Sequence, residues 1–387
     1  MNIKKNIINQ VKIYDFICRI HHFIDNRNYN KLLLDIESID SILDYERFKQ
    51  VIQPVFSQKK PIFLYRYSQP SYFYGYYDSL INYSGVDKKE FVFPVFSNME
   101  HGMANIDSNR DFFSPDSLCY CSHSDYRRKE IHQIAPKRMY FSIGPYIHYA
   151  EKYYDEEKER NFKKSLGKTL LVFPFHKCEN ELNGKGSENV LMDIVYSKYA
   201  KKFDTILVCA YWFDVNDAIF DKYKERGAHI VSAGFRGDSH FIRRLKTIIS
   251  LCDAAIMDEV GTNLGFCYYM GKTVYLEKRE CRFNDDLLKT NTAKFIKAFY
   301  TDNFKFSEEQ IKLQKELYNY YWGGDCIKSV DEIKEILMCA KEVLKLAGYS
   351  IEKDKVDRAT LKYLYFLKES TLSDSSLRYQ ILKNSLN

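Results

Sequence analysis

The chain has 387 residues, enough for two domains of ordinary size, and its 45% apolar and 28% charged residues exclude a disordered chain. The formal net charge of +6 is spread along the sequence rather than gathered into basic blocks, so it suits anionic partners and argues against nucleic acid. Ten Cys without an apolar leader in MNIKKNIINQVKIYDFICRI lead to the expectation of reduced thiols in the cytoplasm, and no run approaches the roughly 20 apolar residues of a membrane span.

The predicted elements begin with helices. Residues 3 to 55 carry apolar positions at helical spacing, such as Ile13, Phe16, Ile17 and Ile20, then Leu32, Leu33, Ile36 and Ile39. After Pro61 the runs IFLYRY, FVFPVF, SLCYCSH and KRMYFSIG are predicted strands of a first α/β layer. FVFPVF ends abruptly in Asn98, Glu100, His101 and Gly102, which predicts a strand delivering a polar loop. The charged run at residues 149–168 has few apolar anchors and is expected to be a solvent-facing helix that joins two domains.

From Lys168 the pattern becomes regular. TLLVFPF, DTILVCAYW, AHIVSAGF and AAIMDEV are apolar strands, and helical segments separate them, the signature of βαβ units and a parallel sheet. Ligands of such a sheet bind beyond the carboxyl ends of its strands, so the loops after Phe175, Trp212, Phe235 and Val260 are the places to look. The expected division is an N-terminal domain over 1–150, a second over 151–330 and a helical tail over 331–387. That tail reads as a surface helix, with contact to anionic lipid as the other reading.

Four stretches have the residue types for chemistry. In DEVGTNLGFCYYMGKTVYL a strand meets a turn at Gly261, Thr262 and Asn263 and then a helix, whose first N–H groups and dipole favour a phosphate; equally, Gly261 permits the turn and Thr262 caps the helix. The stretch matches neither the GxxxxGK[ST] nor the GxGxxG pattern, which disfavours an ATPase or a dehydrogenase. FPFHKCENELNGKGSEN sets His176 and Lys177 at a strand's end, where they suit a phosphate leaving group. Arg244, within FIRRLKTIISLCD, is a secondary donor-binding candidate. His101 is a base able to work near neutral pH, with Glu100 beside it, and a turn histidine satisfied by a carbonyl is the plain alternative. No metal site is predicted, since Cys119-Tyr120-Cys121 lacks a second ligand pair.

These stretches together, the EHG loop, FSIGPYIHYAEKYY, FPFHK and DEVGTNLGFCYYMGKTV, resemble bacterial glycosyltransferases of the GT-B type that build capsule or lipopolysaccharide glycans. The chain is also distantly similar to the glycerophosphotransferases of teichoic acid synthesis, in which a His-Gly loop belongs to the first domain. The resemblance implies two Rossmann-like domains facing a cleft, with helical additions at both ends of the chain. It places His101 and Glu100 on the catalytic side and His176, Lys177, Gly261, Thr262, Asn263 and Arg244 on the donor side. The implied reaction moves a sugar from a nucleotide-sugar donor to a glycan or lipid-linked acceptor at the inner membrane face, inverting, with no cofactor and no metal. A CDP-glycerol-type polyol-phosphate transferase and a non-catalytic glycan-assembly protein are the alternatives. Pro174-Phe175-His176 departs from the His-Pro pair of sialyl- and Kdo-transferase-like enzymes.

Overall fold

A computed structural model describes residues 31–39, 41–57, 70–91, 95–96, 98–100, 119–134, 138–174, 188–277, 286–347, 358–363 and 377–386. The predicted strand IFLYRY and the loop from His101 onward lie outside the described residues. The fold is α/β with two parallel sheets.

The first sheet has the order β1 (Asn98–Met99), β2 (Cys119–Ser122) and β3 (Met139–Ser142), all parallel. Of the predicted strand FVFPVF only Phe91, Val95 and Phe96 are described; these three lie outside the ladder, which falls on Asn98 and Met99 among the described residues. Phe91, Val95 and Phe96 are buried as core instead.

The second sheet is formed by β4 (Thr169–Phe173), β5 (Thr205–Cys209), β6 (His229–Val231), β7 (Ala254–Met257) and β8 (Thr273–Leu276). Its order is β6-β5-β4-β7-β8 with every pair parallel. Counted from β4 this is 3-2-1-4-5, the order of a Rossmann-like sheet, and the order reverses between β4 and β7. Burial on both faces explains why these strands read as unbroken apolar runs. Along β4, Leu170 and Val172 enter one core while Leu171 and Phe173 enter the other, as a strand's period of two requires.

Helices surround the sheets among the described residues. They are α1 (Tyr45–Ser57), α2 (Tyr76–Ser84), α3 (Asp125–Ile134), α4 (Glu156–Leu166), α5 (Glu188–Ile194) and α6 (Ile219–Glu225), followed by α7 (Phe241–Leu251), α8 (Thr262–Tyr269), α9 (Asp286–Phe299), α10 (Glu308–Trp322), α11 (Val330–Leu346) and α12 (Leu377–Ser385). The charged run is realised as α4, capped by the Asp155 carboxylate on the Lys158 amide at 2.7 Å and exposed along most of its length. After α5 the chain widens into a π turn at Val195–Tyr199, so the predicted helix there is not continuous.

Packing crosses the boundaries that element order suggests at 150 and 330. Tyr45, Phe48 and Ile52 of α1 belong to the core on the α5 and α6 side of the second sheet, and the Tyr45 hydroxyl donates to Val215 O. At the other end, α11 packs on α2, and α12 packs on α11 and β3. Arg128 of α3 donates to Asn384 O at 3.0 Å, and Arg378 pairs with Glu335. Tyr363 and Tyr379 are buried against protein, while Leu361 and Leu377 of the same tail are exposed. No helix among the described residues is long and apolar enough to cross a membrane.

Candidate functional site

The reversal between β4 and β7 sets the candidate site. Phe173 pairs in register with Met257, so both strands end at one level and their following loops leave side by side. His176 and Lys177 follow Phe173 and lie outside the described residues. The β7 loop is described and leads through Asp258, Glu259 and Val260 to Gly261, the N-cap of α8.

Gly261 has φ −145 and ψ −176, an extended conformation open to any residue, and a Cβ placed there would meet none of the described residues within 4 Å. Neither backbone strain nor crowding requires a glycine. No side chain caps the helix at this residue, and the side chains of Thr262 and Asn263 have no hydrogen-bond partner among the described residues. Leu264 N–H donates to Gly261 O at 3.2 Å, and the amides of the half-buried Thr262 and Asn263 have no hydrogen-bond partner among the described residues. The other face of α8 is anchored: Leu264, Phe266 and Cys267 are fully buried, and a Cβ on Gly265 would stand 2.2 Å from the Trp322 ring. Lys272, which follows, caps the end of α7 by donating to Ser250 O and Cys252 O at 3.1 and 2.7 Å.

Arg244 is engaged elsewhere. Its Nε donates to Ala233 O at 3.0 Å and its guanidinium pairs with the buried Asp238, which fixes the loop between β6 and α7. The structure thus brings Gly261, Thr262 and Asn263 together at one helix end and gives Arg244 a structural partner set.

At the corresponding end of the first sheet, Glu100 is only 4% exposed. Its amide continues the ladder by donating to Cys121 O at 2.8 Å. One carboxylate oxygen accepts the His123 amide at 2.8 Å, and the other accepts Arg127 Nε at 2.8 Å. His123 is fully buried, its ring lies 4.1 Å from that of Tyr146, and its Nδ1 meets Gly144 O at 3.2 Å. A carbonyl can only accept, so Nδ1 carries the proton of the neutral ring. Burial lowers the His123 pKa below the ordinary 6.5, with Glu100 opposing.

Sequence reasoning missed Arg127, the partner that occupies Glu100. It sits 27 positions away on α3, and only the pairing of β1 with β2 brings the two together. His101, the residue after Glu100, lies outside the described residues. No known protein family matches the chain, and no curated protein is significantly similar to it.

Proposed function

We propose that the chain is a glycosyltransferase of the GT-B kind, with two Rossmann-like domains, moving a sugar from a nucleotide-activated donor to a hydroxyl of a bacterial surface glycan or lipid-linked acceptor. The observation that carries this reading is the glycine at 261. The turn makes no steric demand for it, yet it keeps the uncapped start of α8 clear at the reversal point of the sheet. A helix end serving only the fold gains from a capping side chain, whereas one that receives an anion gains from open space.

In this reading the α8 amides, Thr262 and Asn263 receive the donor's phosphates, and His176 and Lys177, which follow β4 in sequence, neutralise the departing nucleotide. His101 removes the acceptor proton. Glu100 anchors the root of that loop, because its carboxylate is already committed to Arg127 and the His123 amide. The protein's own donors offset the leaving-group charge, so the mechanism is written without a metal.

Thermal unfolding in the presence of UDP, GDP, CDP and CMP tests the reading, because a bound nucleotide stabilises the fold by mass action. Stabilisation by one of them that is lost in Lys177→Ala supports it. No shift with any nucleotide removes it, and turnover of CDP-glycerol without turnover of nucleotide-sugars replaces it with polyol-phosphate transfer.

A further inference from the structure

The segment from Ile143 to Asp155 carries the chain from the first sheet towards the second, and His148 stands in its middle. Both ring nitrogens are engaged. Nδ1 lies 2.6 Å from the hydroxyl of Tyr269, the last residue of α8, and Nε2 lies 3.4 Å from the hydroxyl of Tyr83 on α2. The Tyr83 hydroxyl donates to Lys328 O at 3.3 Å, so towards His148 it accepts, and Nε2 carries the proton. Nδ1 is then a bare lone pair that accepts from Tyr269. The ring thus joins the helix that starts at the candidate phosphate site to a helix of the other sheet.

We propose that His148 is a positioning residue that holds α8 in register while neutral and releases it on protonation. This rests on the reading of α8 as the donor-phosphate helix. The groups facing the ring are Tyr83 from α2, Tyr269 from α8, Tyr149 beside it in the chain and Lys246 from α7. The Lys246 ammonium donates to Ala150 O at 2.6 Å and His148 O at 3.4 Å, with Glu151 and Lys152 acting on it in opposite directions. A proton on Nδ1 reverses the bond, leaving the Tyr269 hydroxyl only the acceptor role, and sets a second cation beside Lys246, whose repulsion loosens the contact. Burial and then Lys246 both lower the His148 pKa, so the ring is neutral at neutral pH and charges only in acid.

Hydrogen exchange of residues 262–269 in the full chain, corrected for the intrinsic rate, is to be measured at about pH 7.5 and about pH 5.5 without nucleotide. Wild type is expected to lose about tenfold in protection in acid, and His148→Gln, which can accept and donate but not charge, to stay within about twofold. Identical pH profiles in the two proteins overturn the proposal. If His148→Gln does not fold, Tyr269→Phe decides: protection already low and insensitive to pH supports the proposal, and a wild-type profile overturns it. The same pair of pH values with the most stabilising of UDP, GDP, CDP and CMP tests the link to the site. Acid is expected to weaken the nucleotide's stabilisation more in wild type than in His148→Gln. A pH-dependent α8 with no nucleotide effect leaves the positioning role standing and removes the proposed function.

Discussion

The carboxyl ends of the two parallel sheets are built alike and finished in opposite ways. At the first, Glu100, Arg127 and His123 fill the space with their own side chains, an ion pair and a buried imidazole closing the strand ends. At the second, the strand ends lead to Gly261, Thr262 and Asn263, where no described side chain caps the helix and no described residue stands above the glycine. A parallel sheet gathers its loops at this end whatever the sequence, and the side chains decide whether the place is closed or kept open.

The contrast can be broken most severely at Trp322, which is fully buried and supports Gly265 of α8, while the next residue, Gly323, presses on His123 O. Trp322→Ala is expected to cost about 3–5 kcal/mol in chemical denaturation and to disturb both sheet ends together. An effect confined to α8 in hydrogen exchange would show that the two ends are independent. Glu100→Gln attacks the closed end alone. It takes from Arg127 its more buried partner, leaving the Glu130 carboxylate at 3.3 Å, and is expected to cost about 2 kcal/mol in urea unfolding. A cost near zero would mean that the pair adds nothing to the closure.

Acid sharpens the contrast by a smaller step. The folded pKa of His123 lies below its ordinary 6.5, so the unfolded chain binds more protons as pH drops. Its contribution is complete above about pH 6.5 and is lost as pH falls through the lowered folded value. His123→Phe should flatten the dependence of the urea midpoint on pH between about 7 and about 5, and an unchanged slope would assign the dependence to other groups. The smallest expected change in stability is at the open end. Gly261→Ala has room and a compatible backbone, so it should leave stability within about 1 kcal/mol or raise it slightly. Nucleotide-induced stabilisation should nonetheless fall, and equal stabilisation of both proteins would show that the open space is not used.

The second sheet was legible from sequence because each strand is buried on both faces and each helix fits between two strands, so period and length agree. The first sheet was harder. FVFPVF has a strand's composition, but Phe91, Val95 and Phe96 serve as core and the ladder falls on Asn98 and Met99, whose pattern carries no strand signal. Glycine positions show the same division. Gly271, with φ +70, follows the expected turn after α8, whereas Gly261 suggested either a turn requirement or a phosphate site, and its extended φ shows only that no left-handed backbone requires a glycine there. Partners far apart in the chain, Glu100 with Arg127 and Tyr269 with His148, depend on topology and leave no local mark.

The exchange of terminal helices has a consequence for synthesis. During translation, α1 appears long before the second sheet that it covers, and the first sheet appears long before α12, which packs on β3, and α11, which holds α12 and packs on α2. Neither sheet can be finished when its own strands have left the ribosome, so the apolar faces of β2 and β3 stay exposed until residues 330 to 385 follow. The chain is therefore expected to fold late and as one unit, and fragments divided near Gly167 should recover only when both pieces are present together.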